Sequence, residues 1–196
     1  MRLLIMGAPG SGKGTQAASI ADHYGVPAIS TGDIFRANVS DGTALGRVVR
    51  GYMDAGEYVP DEVTNALVRD RLTYSDCAPG FLLDGYPRTL QQVAVLEEIL
   101  EQTSDALDAV VELVVDHEVL VDRLVRRSRS QGRSDDTAEV VRRRQAVYLE
   151  QTAPLINHFS ARGLIRRVDA DGSVGQVAAR IASALNGLPA KASSSL

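Results

Sequence analysis

Gly7-Ala8-Pro9-Gly10-Ser11-Gly12-Lys13-Gly14-Thr15 decides how this chain folds. The stretch follows an apolar run, Leu3–Met6, and leads into a segment with helical periodicity. Glycines let a backbone wrap close to phosphate oxygens and aim successive N–H groups inward. A helix that follows directly offers its positive N-terminal end to the same anion, and Lys13 adds a mobile point charge. Strand, loop and helix in this order are the context of a phosphate-binding P-loop. A glycine-rich turn that binds nothing would not need that order. One position departs from the general motif: Gly14 stands where Ser or Thr is usual, so Thr15 is the candidate for a magnesium-side hydroxyl.

Working outward, four apolar runs read as buried strands: Leu3–Met6, Phe81–Leu83, Val110–Val115 and Ile165–Val168, with Val26–Ser30 a weaker fifth. Continuous rather than alternating apolar runs suit a parallel sheet covered on both faces. Helical periodicity lies between them. Val93, Leu96, Ile99 and Leu100 mark one helix starting near Thr89, and Val119, Leu120, Arg123, Leu124 and Arg127 mark another. Capping boxes are expected at Thr89/Gln92, Asp136/Glu139 and Ser173/Gln176. The alternation predicts an α/β, doubly wound, five-stranded parallel sheet flanked by helices in one domain, 1–196. Residues 31–73 carry helical patterns without a strand and read as an insertion. Residues 128–136, polar and arginine-rich, read as an exposed loop, and the tail 187–196 is expected to fray.

Composition narrows the function. The net charge of −4 is not the basic balance usual for a nucleic-acid binder, so no nucleic-acid partner is expected. No apolar segment approaches the ~20 residues of a membrane helix. The opening apolar run is too short for a secretory signal core, and the lone Cys77 allows no internal disulfide. A cytoplasmic protein is the expectation.

Two further motifs discriminate among P-loop chemistries. Thr31-Gly32-Asp33 with Arg36 follows the second strand, and Asp84-Gly85-Tyr86-Pro87-Arg88 follows the third. With the P-loop, they make the chain, from Met1 to about Asn186, resemble the adenylate kinases of the nucleoside-monophosphate kinase family. The resemblance implies that Gly10, Ser11, Gly12, Lys13, Gly14 and Thr15 hold ATP phosphates. Arg123 and Arg127 would assist, with Gly172 against the adenine. It implies that Thr31, Arg36, Glu57, Tyr58, Val59, Gly85, Tyr86, Pro87, Arg88 and Gln92 form the AMP pocket. Arg133 and Arg144 would reach the transferring phosphates. Residues 30–59 correspond to an AMP-binding subdomain and 126–136 to a short lid. The short lid carries no metal-ligand set, so structural zinc is not expected. Magnesium arriving with ATP is expected, and family resemblance suggests a monomer.

The residue types fit that chemistry. Phosphoryl transfer needs alignment and charge neutralisation more than covalent help. A phosphate nucleophile is already ionised at neutral pH, consistent with the lack of an obvious base–nucleophile pair. Lys13, Arg88, Arg123, Arg133 and Arg144 are the catalytic candidates, because guanidinium grips phosphate through two donors. Asp84, ending an apolar strand, and Asp33 are candidates to hold magnesium through water. Arg126, Arg129, Arg142 and Arg143 read as solvated helix surface, while His23, His117 and His158 show no ligand spacing and read as structural or surface. Thr31 and Gln92 have helix-capping readings beside their AMP-pocket ones. Two rivals remain at this point: a kinase of UMP, CMP or another nucleoside monophosphate, and a nucleotide-gated switch.

Overall fold

A computed structural model describes residues 1–116, 119, 120, 123 and 137–188. The proposed lid, 126–136, together with Arg127, Arg133, Arg126, Arg129, His117 and Leu124, lies outside the described residues. So does most of the tail, although Leu188 packs against the core rather than fraying.

Five strands form one parallel sheet in the order β2-β3-β1-β4-β5: β1 Arg2–Met6, β2 Ala28–Ser30, β3 Phe81–Asp84, β4 Ala109–Val114 and β5 Ile165–Asp169. Every residue of β1 and β3 is buried, because both faces are covered. Side chains of β1 alternate between two cores. Leu4 and Met6 join Val93, Leu96, Leu155 and Phe159 on one face. Leu3 and Ile5 join Ala17, Ile20, Val177 and Ile181 on the other. The helices that supply these partners are α1 Lys13–Tyr24, α5 Leu90–Gln102, α7 Pro154–Ala161 and α8 Val174–Leu185. Burial of such side chains contributes about 1.5–3 kcal/mol each.

Between β2 and β3 the chain inserts α2 Thr31–Ser40, α3 Ala44–Ala55 and α4 Asp61–Leu72. A small core of its own, Phe35, Val49 and Val59, holds this insertion together. After β4, helix α6 Ala138–Val147 runs into a π-helical turn, Tyr148–Thr152, and on into α7. Pro154 explains the turn. It has no N–H to give and its ring crowds the carbonyl four residues back, so Ala153 N–H reaches the Tyr148 carbonyl instead, at 2.9 Å.

Sequence boundaries shift where local bonding competes with the apolar pattern. β2 starts at Ala28, not Val26, because Val26 N–H still bonds Ala21 behind helix α1. The cap expected at Asp136 falls one residue later: the Thr137 side chain accepts from Val140 N–H. Ser30, not Thr31, caps α2. Ser173 and Gln176 form the full capping box. At α5 only half of the expected box exists. Thr89 accepts from Gln92 N–H, but the Gln92 side chain accepts from Arg88 N–H instead of Thr89.

Candidate active site

In open parallel sheets, ligands bind beyond the carboxyl ends of the strands, where the strand order reverses. Here β1 lies centrally, with β3 on one side and β4 on the other. A cleft of about 670 Å³ opens there, lined by the P-loop, the ends of β1 and β3, and Arg36, Arg88, Arg123, Arg144 and Gly172. A smaller pocket continues from it beneath α2 and α3, and both are bordered by Arg36, Tyr58, Gly85, Arg88 and Arg144. Every described site residue named from sequence borders one of these two spaces.

The P-loop end is made of backbone. Gly10 and Gly12 have φ of +89° and +93°, a conformation that glycine adopts freely. Helix α1 begins at Lys13 with no carboxylate of its own in the first turn and no side-chain cap, so its first N–H groups are left for a ligand in the cleft. Lys13 Nζ donates to the carbonyls of Gly7 (2.7 Å) and Ala8 (3.1 Å), bracing the loop on itself. Ser11 Oγ is buried with no hydrogen-bond partner among the described residues. A buried hydroxyl of that kind favours an incoming acceptor or donor. Across the cleft, Arg123 Nη2 donates to the Ala170 carbonyl at 2.9 Å, beside Gly172.

The second pocket is made of side chains that hold one another. Thr31 donates to the Gly85 carbonyl at 3.0 Å. Gly85 has φ +78°, and a Cβ there would lie 2.8 Å from Arg88 Nη2. Arg36 pairs with Asp33. Gln92, 1% exposed, accepts from Arg88 N–H at 2.7 Å and donates to Asp61 Oδ1 at 2.6 Å. Asp61 also accepts from the Thr89 hydroxyl at 2.7 Å. The amide of Gln92 is therefore oriented at both ends, leaving one donor and one acceptor site uncommitted. Tyr86 is buried beneath this network, its hydroxyl donating toward Asn65 and the Gln92 carbonyl. Glu57 does more than line the pocket, since it binds Arg143 Nε at 2.5 Å. Arg143 is exposed, as its sequence reading has it, and its ion pair joins α6 to the insertion.

Asp84 stands between the two ends. It is 9% exposed and pairs through its backbone with β1 and β2. Burial pushes its carboxyl above the usual range and Asp33 adds to the rise; Lys13, Arg88 and Arg36 pull the other way. Among the described residues, no group of three or more His, Cys, Asp or Glu is placed to hold a metal by itself. One carboxylate and the hydroxyl-bearing Thr15 lining the same cleft suit magnesium that arrives hydrated on a nucleotide, since this ion keeps several waters and uses one or two protein carboxylates.

Sequence reading missed three contributors. Asp61 comes from α4, Tyr148 and Thr152 both come from the π-helical turn, and none of them carries a motif. Tyr58 was named only as part of the pocket wall, whereas its ring lies 4.8 Å from the Arg88 guanidinium. Among the described residues, no helix is long and apolar enough to cross a membrane.

Comparison with known proteins agrees with this geometry. A family model described as adenylate kinase matches residues 5–164. The chain is 58% identical to an adenylate kinase of a Nocardioides species over 189 residues, covering 96% of this chain and 99% of that relative. It is 55% identical to one from Clavibacter michiganensis, covering 98% and 96%, and 56% identical to one from Kocuria rhizophila, covering 94% and 98%. Those matches favour neither the switch nor another monophosphate kinase. A parallel sheet with a P-loop cleft, a second pocket across the arginines and near-complete matches to these relatives place the chain in the adenylate kinase family.

Proposed function

We propose that the chain catalyses reversible transfer of a phosphoryl group between ATP and AMP, giving two ADP and balancing the adenine nucleotide pool. The continuity of the cleft carries this reading. A backbone cradle for one polyphosphate and a side-chain pocket for a second nucleotide meet at Arg88 and Arg144.

In this reading Gly10 to Thr15 bind the ATP phosphates, while Arg123 and Gly172 border the nucleotide's far end. Residues 30–59 form the AMP subdomain, with Thr31, Arg36, Val59, Gly85 and Gln92 around the acceptor. An ionised oxygen of the AMP phosphate attacks the γ-phosphorus. The bond from that phosphorus to the β–γ bridging oxygen breaks, and its electron pair leaves with ADP. No protein base is needed. Lys13, Arg88 and Arg144 offset the charge of two polyanions brought together and hold them in line. Asp84 would hold magnesium through water, with Thr15 and Asp33 lining the same cleft, and the ion would supply further charge neutralisation. A cytoplasmic monomer is the matching proposal for location and assembly.

The test is a coupled assay of ADP formation with ATP, magnesium and AMP, CMP, UMP or GMP in turn. Rapid ADP formation with AMP alone supports the reading. A tenfold preference for CMP would overturn the acceptor assignment. Tight binding of one diadenosine pentaphosphate per chain would independently support two adjacent nucleotide sites.

A further inference from the structure

Arg88 is held by more than its own loop, and the additional contacts come from two distant segments. Its Nε donates to the Gly85 carbonyl at 2.7 Å, which fixes one edge of the guanidinium. One face of the guanidinium lies over the ring of Tyr58, with Cζ 4.8 Å from the centroid. The Tyr58 hydroxyl is in turn 2.7 Å from Thr152 Oγ1, and the Thr152 hydroxyl donates to the Arg88 carbonyl at 3.0 Å. Tyr58 comes from the loop after α3 and Thr152 from the π-helical turn, 94 residues later in sequence. The three residues close a loop: guanidinium on ring, phenol to threonine, threonine to the backbone of the same arginine.

We propose that Tyr58 and Thr152 are positioning residues for Arg88, a clamp that fixes the plane of its guanidinium at the junction of the two nucleotide pockets. This inference rests on the proposed phosphoryl transfer for its kinetic consequence, but not for the geometry itself.

Three physical points support it. A ring face attracts a guanidinium and leaves its edge donors unspent. The Arg88 terminal nitrogens Nη1 and Nη2 accordingly keep their in-plane donors for a phosphate, and have no hydrogen-bond partner among the described residues. The hydroxyl of Thr152 is fixed by burial, the residue being 5% exposed, and π-helical turns widen a helix locally in a way that recurs at functional sites. Near Tyr58, Tyr148 is pushed up to about 12 by burial first and by Glu112 and Tyr58 after it, so its phenol, neutral at ordinary pH in any case, adds no charge beside the clamp in alkaline solution either.

The first experiment reads the clamp without turnover. In nitrogen–proton spectra of the full chain, the Arg88 Nε–H resonance, assigned by its loss in Arg88→Lys, should be shifted by the Tyr58 ring current. It should move toward the free-arginine position in Tyr58→Leu and stay near its wild-type position in Tyr58→Phe. The second experiment is kinetic. Tyr58→Leu should lower kcat by about tenfold, with the KM for ATP unchanged. Tyr58→Phe and Thr152→Val should lower it about threefold each. In an Arg88→Ala background, Tyr58→Leu should cost less than about twofold, because its partner is already gone. Equal losses in both backgrounds, or an unshifted Arg88 resonance in wild type, would overturn the clamp. Failure of AMP-dependent ADP formation in wild type would instead remove the proposed function and leave the spectral test standing.

Discussion

The two ends of the cleft are built on different principles. The ATP end is a backbone device: glycines with positive φ, a helix start with no side-chain cap, and a lysine folded back on its own loop. All its parts fall within nine consecutive residues. The acceptor end is a side-chain device in which Thr31, Asp61, Arg88, Gln92, Tyr58 and Thr152 hold one another from five separate segments. A backbone cradle tolerates changes of side chain but not of glycine. A side-chain network is sensitive to any partner, including ones that touch no nucleotide.

That contrast can be broken most directly at Arg88, where the two ends meet. Arg88→Ala is expected to reduce kcat by roughly 10³-fold, as other arginines on transferring phosphates do. Unchanged turnover would remove Arg88 from the chemistry. Gly85→Ala tests whether the acceptor end also depends on backbone. A Cβ there meets Arg88 Nη2 at 2.8 Å and Thr31 Oγ1 at 3.0 Å, on a residue with φ +78°. Turnover should drop by about 10²-fold, since small misplacements can cost that much, and the melting temperature should fall as well. A variant with wild-type kcat would show that Arg88 has room to give.

A smaller effect concerns Asp84 and its sign. Burial outweighs the neighbouring cations, so the folded protein keeps the Asp84 proton to higher pH than the unfolded chain, whose carboxyl titrates near 3.8. Its favourable contribution is complete below that value and is lost as pH rises through the folded value. Urea midpoints from pH 4 to 7 should therefore show Asp84→Asn gaining on wild type as pH increases, while its magnesium-dependent activity falls. A constant difference across that range would contradict the buried-charge account.

Least of all should happen at the periphery. Arg143→Ala breaks the exposed contact with Glu57 and should leave kcat within about twofold, and Arg142→Ala should behave alike. Cys77 is buried, and burial pushes its thiol above the usual range despite the opposing pull of Arg71. Native protein should react slowly with a disulfide reagent and promptly once unfolded. Fast native labelling would show that the segment around Cys77 opens.

Much of the fold was legible because the signals were local. Short apolar runs placed all five strands, although only β1 and β3 are buried throughout and β5, expected to be buried, keeps its two arginines partly or fully exposed; the cap at Ser173 was present as both halves of its box. Boundaries slipped where a single bond decided them, as at Val26 and Thr137. The α5 box failed in its second half because Gln92 found a better-placed partner in Arg88 N–H, with Asp61 holding the other end of its amide. No helix-capping rule contains Asp61, which lies 31 residues away.

By itself, the sequence determined the phosphate cradle, the parallel sheet beneath it and the motif residues at the strand ends. Their meaning depends on φ freedom, helix polarity and periodicity, which act over a few residues. Tertiary structure alone decided that Tyr58 lies under Arg88, that Thr152 joins them through a π-helical turn, and that Arg143 reaches Glu57. Those contacts join segments tens of residues apart. They exist only because packing of α6 and α7 against the sheet and insertion sets their distances to within a hydrogen bond.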